Sequence, residues 1–344
     1  MKIVTSAALL ILASMAGSVF GAANVVPMPT LPQGQPIEMR VAYVVNARLP
    51  RMTPAQLQAL LAATQATARE HFGVDIRFSR VEEIPIEKLF ARMIPKRAAG
   101  HSQLIYDFKG GRGDFDRFAK AFAKDLTVHG GQLPELIEYA RPHIGTIPVE
   151  SYEALGTALA RLQLDRLERW RNIKALDGKP AIDGNPYNEF HMWLALGYSD
   201  VPFELLLTNQ VIASVEYAHS TVHSAIRGGY TNGVVTYSRQ SRLGTVAVWS
   251  TFAYTTDDPW VTEMRGGESY SAEEAARLAG IGATHELGHQ LFHILHPYGR
   301  TACLMNPVPM FAYRAWVAGL SAKDCPIGSG PDMRPGAFKY LYDR

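Results

Sequence analysis

The chain is short of cysteine, of net charge and of apolar length. Only Cys303 and Cys325 occur in its 344 residues. Neither precedes the histidine cluster described below, so an inhibitory cysteine in a pro-segment is excluded. An oxidising compartment would permit a bridge between the two; the alternative is a pair of unpaired buried thiols. Thirty-four basic residues against 32 acidic ones leave a formal charge of +2. With no long basic run, the concentrated positive patch that nucleic-acid binding needs is missing. Internal repeats are also absent. A hydrophobic fraction of 47% with 19% charged residues excludes disorder and supplies a large core.

The one strongly apolar run is at the start. Lys2, the segment "IVTSAALLILASMAG" and the small residues "SVFGAA" have the layout of a signal peptide over residues 1–23, cleaved between Gly21 and Asn24. An uncleaved anchor is the alternative. No later segment is apolar enough to span a bilayer, so the expected mature protein is exported, periplasmic or extracellular, without a membrane span.

Residues 24–37 are Pro-rich and aperiodic, as in a linker. Residues 38–47 and 74–84 read as strands flanking a helix over 53–72, with Thr53 as its cap, Pro54 at its first position and Gly73 at its end. Strand, helix, strand at this spacing implies a parallel βαβ unit. Residues 85–198 look like a mostly helical insertion; the clearest helix, 151–176, carries Leu155, Leu159, Leu162 and Trp170 on one face. Strands return at 203–217, 228–239 and 244–254, with Asn232-Gly233 as a hairpin-type turn. A helix capped by Ser271 and Glu274 then leads into the histidines, weakened by Gly280 and Gly282. The expected class is α+β: a mixed sheet, a long helix and a histidine-bearing helix.

Four histidines fall within twelve positions, His285, His289, His293 and His296. The first two frame H-E-x-x-H with Glu286. Residues four apart on a helix lie about 40° apart around its axis, so both imidazoles can share one Zn²⁺. Glu286 stands where it can take a proton from a water activated by the metal. Leu287, Leu291 and Ile294 fall on the opposite face and would bury the helix. From the frequencies of 11 histidines and 18 glutamates in 344 residues, the motif is expected by chance about 0.02 times. A hydrolytic zinc site needs a third protein ligand and an open position. On a continuing helix His293 would lie about 12 Å along the axis from His285, too far to join it. Pro297 pushes His296 out of helical geometry, which lets that residue fold back as the third ligand. His293 is left as a neighbour of the site, a substrate-facing group or a helix-surface residue.

"HELGHQLFHILH" followed by "CLM" resembles the zinc-binding helix and Met-turn of the metzincin metallopeptidases, and "TACLMNP" is similar to the Cys-x-Met stretch of the archaemetzincins. The resemblance implies a zincin-like fold, one Zn²⁺ per chain held by His285, His289 and His296, Glu286 as general base, and Met305 beneath the metal. A methionine after a turn is otherwise core filler. The family pattern H-E-x-x-H-x-x-G-x-x-H is not followed throughout: Phe292 stands at its glycine and Leu295 at its third histidine, with His296 one residue late. The archaemetzincins' further cysteines are absent, so a second metal is not implied.

Three functions follow as expectations. The first is an exported zinc endopeptidase acting on a peptide or protein laid along an edge strand over 228–238. The second is a gluzincin-like protease with an acidic third ligand in place of His296. The third is a zinc-stabilised binding protein without turnover. Tyr298 and Tyr313 could stabilise an oxyanion but read more simply as packing or surface tyrosines.

Overall fold

The structure is a computed structural model, which describes residues 24–93, 95–101, 106–129, 132–214, 222, 225–226, 229–297, 300–308, 311–325 and 334–342. The expected signal peptide lies outside them. The architecture is mixed α and β. Strands β1 (Asn24–Val26), β2 (Ile37–Met39) and β3 (Val41–Val45) precede a long first helix, Pro54–Phe72. After it come β4 (Ile76–Phe78) and β5 (Glu82–Pro85), then helices, of which Phe115–His129, Leu133–Ile144 and Tyr152–Trp170 are the longest. The second half holds β6 (Leu205–Thr208), β7 (Gly233–Tyr237), β8 (Thr245–Ser250), the histidine helix Ala272–Phe292 and β9 (Tyr340–Tyr342). No described helix is long and apolar enough to cross a membrane.

The main sheet has the order β5-β3-β6-β8-β7. Its pairs are parallel except the last, β7 running antiparallel to β8 at the edge. The central strands are buried throughout and mostly apolar because both faces are covered. Val41, Tyr43, Leu205, Leu207, Ala247 and Trp249 join the large core shared with the first helix and the histidine helix. The alternating residues Ala42, Val44, Leu206, Val246 and Val248 join a smaller core with Trp193 and Leu196 on the other face. Period-two alternation thus makes three layers out of strands that look uniform in sequence.

The first helix forms as its ends dictate. Thr53 accepts from the Gln56 N–H, the Gln56 side chain answers on the Thr53 N–H, and Gly73 leaves the helix at φ 67°. The flanking segments are not single strands, however. Each is broken in two, at Arg40 and at Ser79–Val81. Arg40 spends its N–H on the buried carboxylate of Glu204 at 2.7 Å, and Ser79 Oγ accepts from Val41 N–H at 3.1 Å. Side chains therefore replace ladder bonds at the breaks. β2 pairs with β4 and β3 with β5, both parallel, so the βαβ connection holds in two small pieces.

Other boundaries also move. The strand expected at 203–217 stops at Thr208, because the Asn209 side chain takes over the bonds to Asn46 and Leu49. The chain does not turn at Asn232-Gly233. Gly233 opens β7, and the hairpin reverses at Ser238–Gly244, where Gly244 has φ 73°. The helix expected over 151–176 ends at Trp170, and after β8 the chain makes a helical turn at Phe252–Thr255. Asn24–Val26, in the stretch read as a linker, pairs with β9. Cys303 and Cys325 form a disulfide.

Candidate metal centre

Ser271 caps the histidine helix by accepting from the Glu274 N–H at 3.2 Å. The helix then runs unbroken through Gly280 and Gly282, contrary to the weakening expected there. These glycines are points of close approach: a Cβ at 280 would run into the first helix at Leu60 and Ala63, and one at 282 into Trp249 and Tyr254. Tertiary packing outweighs the roughly 1 kcal/mol propensity cost of each. Leu287 and Leu291 are fully buried, as the face assignment requires. Gln290 adds a polar tie, donating to the carbonyls of Glu204 and Thr245 at the base of β6 and β8.

The helix ends earlier than Pro297 implies. His293 closes it in the left-handed region, φ 49° and ψ 43°, with its N–H on the His289 carbonyl at 2.9 Å. That conformation costs a non-glycine residue about 1–2 kcal/mol. It is held because the distant segment around Phe338 bonds across it: Gly336 N–H donates to Phe292 O and Phe338 N–H to His293 O, each at 2.8 Å. His293 is 2% exposed and packs edge-on to Tyr340, so it is neither a ligand nor a helix-surface residue. It anchors the C-terminal segment beside the site.

The chain then returns, and His296 meets His285 and His289. The three Nε2 atoms stand 3.0, 3.1 and 3.1 Å apart. Nitrogens sharing one tetrahedral Zn²⁺ at 2.0–2.1 Å would be roughly 3.3 Å apart, so only small adjustments separate this cluster from a metal-holding geometry. The proton inventory is more telling. His285 Nδ1 lies 2.8 Å from the Leu304 carbonyl and His289 Nδ1 lies 2.6 Å from the Ile294 carbonyl. A carbonyl can only accept, so both Nδ1 atoms carry the proton. The Nε2 atoms of the two rings then point toward each other at 3.1 Å, with His296 Nε2 at 3.0 Å from the first and 3.1 Å from the second. Three ring nitrogens converging on one point suit a shared cation, and carbonyls on the far nitrogens are how metal-binding histidines are oriented. Burial pushes the His289 pKa down to about 4, partly opposed by the Ile294 bond, so the ring is neutral and able to ligate near pH 7. This is a histidine triad compatible with one metal ion. Among the described residues no carboxylate joins it; His296 occupies the position that the gluzincin-like alternative assigns to an acid.

The loop that orients His285 is itself held. Cys303, bridged to Cys325, immediately precedes Leu304, and Met305 follows. Met305 is fully buried under the helix, where a Cβ on Gly288 would strike its sulfur and the Phe72 ring. It is therefore core, packed against the histidine helix. Glu286 is 8% exposed and approaches the edge strand, where a Cβ on Gly233 would come within 2.7 Å of its Oε1.

No family model matches this chain, and neither the curated proteins nor the solved structures contain a significant match. The site therefore stands on its own geometry. Of the tyrosines considered, Tyr298 lies outside the described residues. Tyr313 is a packing tyrosine, fully buried against Tyr254 with its hydroxyl donating to Asn232 Oδ1 at 2.9 Å. Sequence reasoning missed the Leu304 and Ile294 carbonyls, which have no side-chain signature. It also missed Tyr340, a buried phenol whose pKa burial raises, with the Glu286 carboxylate adding to the rise.

Proposed function

We propose that the chain is an exported zinc-dependent endopeptidase of metzincin-like type. The observation that carries this reading is the convergence of the His285, His289 and His296 Nε2 atoms to within 3.1 Å of one another, with Glu286 on the same helix. The donor set is three imidazoles, which suits Zn²⁺. When bound, the ion would supply Lewis acidity, polarising a carbonyl and making water acidic near neutral pH. Glu286 accepts the proton of the attacking water and delivers it to the leaving amine. Strand β7, at the sheet edge and against Glu286, is the support along which an extended substrate would lie. The disulfide and the signal-like N-terminus favour export. The mixed sheet with one antiparallel edge strand over two long helices favours a zincin-like fold.

The test pairs metal analysis with turnover. Purified protein is expected to hold about one zinc per chain and to cleave a denatured protein such as casein, with loss on chelation and recovery on adding zinc. Glu286→Gln is expected to keep the zinc and lose about 10²–10⁴-fold in rate. Stoichiometric zinc without any chelator-sensitive cleavage would overturn the peptidase reading in favour of a zinc-stabilised binding protein.

A further inference from the structure

Asn232 lies at the start of the edge strand that approaches Glu286 and is held in one orientation. It directly precedes Gly233, the residue whose missing Cβ leaves room for Glu286 Oε1. Its backbone is pinned, its carbonyl accepting from Ser250 N–H at 2.6 Å. Its side-chain oxygen accepts from the Tyr313 hydroxyl at 2.9 Å. That hydroxyl cannot move far: Tyr313 is fully buried, with the Tyr254 ring 4.3 Å away and Phe311 across its edge. With the oxygen committed inward, the two N–H donors of the amide face the other way.

Those donors are not used internally. Asn232 is 8% exposed, and among the described residues nothing accepts from its Nδ2, which is also missing from the fully enclosed polar atoms left without partners. Its amide therefore reaches the surface at the start of the edge strand, one residue before the glycine that approaches Glu286. Such a polar side chain against an aromatic wall loses hydration on one side and regains a bond only from Tyr313.

We propose that Asn232 is a substrate-binding residue whose Nδ2 donates to a backbone carbonyl of the bound peptide next to the bond that is cut, with Tyr313 as the positioning residue that keeps the amide from flipping. This rests on the hydrolase reading. The ligand class is an extended peptide, because its backbone offers a carbonyl at the spacing of the strand it lies against. The donor acts on binding and alignment and takes no proton.

The experiment uses the zinc-loaded mature protein with two probes, Cbz-Pro-Leu-Gly-hydroxamate and acetohydroxamate, both measured by titration calorimetry alongside zinc content. Asn232→Asp keeps an acceptor for Tyr313 and removes the donor; Asn232→Leu removes the donor without adding charge and serves if the first variant fails to fold. The expected result is peptide hydroxamate affinity lowered about tenfold in either variant, with acetohydroxamate affinity and zinc content unchanged. Tyr313→Phe is expected to lower peptide hydroxamate affinity severalfold without touching acetohydroxamate. If wild type binds both probes and the folded Asn232 variants bind both equally well, the assignment to Asn232 falls and the hydrolase reading stands. If zinc-loaded wild type binds neither probe, the hydrolase reading falls and Asn232 with it.

Discussion

Acid should destabilise the metal-free protein by an amount that the burial of His289 sets. Its pKa is held at about 4 in the fold against 6.5 for an ordinary histidine, chiefly because burial disfavours the charged ring. The folded-state pKa is depressed, so the unfolded chain binds the proton first as pH falls. The stability is fully present above pH 6.5 and is lost progressively down to about pH 4. Each tenfold difference in proton affinity is worth about 1.4 kcal/mol, so His289 alone accounts for about 3 kcal/mol across that window. His71 and His293, both lowered by burial, push in the same direction. The assay is urea unfolding of chelator-treated protein, followed by far-UV circular dichroism at pH 7, 6, 5 and 4. The His289→Gln variant is the reference, because glutamine can still donate to the Ile294 carbonyl and does not titrate. The wild type should lose about 3 kcal/mol more than this variant between pH 7 and pH 4. Parallel pH profiles for the two proteins would refute the reasoning, since the His289 ring would then titrate alike in both states.

Three further outcomes follow from the same geometry. His296→Ala should weaken zinc at least ~100-fold in competition with a chromogenic chelator, by removing one of three protein ligands. His293→Ala should leave zinc affinity within a few-fold and instead lower thermal stability, because its ring is core; Pro297→Ala should leave zinc nearly unchanged, since the helix has already ended at His293. Cys303→Ser with Cys325→Ser should cost roughly 3 kcal/mol in urea for a loop of this length, with weaker zinc binding because the Leu304 carbonyl that orients His285 loses its tether. Gly288→Ala should cost about 1–3 kcal/mol from overpacking against Met305 and Phe72, whereas Gly319→Ala, with nothing within 4 Å, should be neutral in the same thermal melts.

Much of the site was legible because local periodicity carries it. His285 and His289 share a helix face whatever surrounds them. The caps at Thr53 and Ser271 are side chains reaching backbone a few residues away, so their signals are local too. What sequence reasoning misplaced was decided at long range. The histidine helix stops at His293 where Gly336 and Phe338 bond across its end, more than 40 residues on, and not where Pro297 would have stopped it. Arg40 leaves the ladder because Glu204 is buried beside it.

The sequence by itself determined that two imidazoles would stand together, because i, i+4 spacing is a property of the helix alone. It also marked the cores of the central strands β3, β6 and β8, whose runs are mostly apolar because both faces are buried. Only the tertiary structure decided which nitrogen of His285 and of His289 faces the triad. That choice is made by two backbone carbonyls, Leu304 and Ile294, which every residue carries and no sequence pattern marks. It likewise decided that Gly233 begins an edge strand against Glu286 instead of turning a hairpin. The local turn preference of Asn-Gly is worth little against a strand that pairs over five residues with β8.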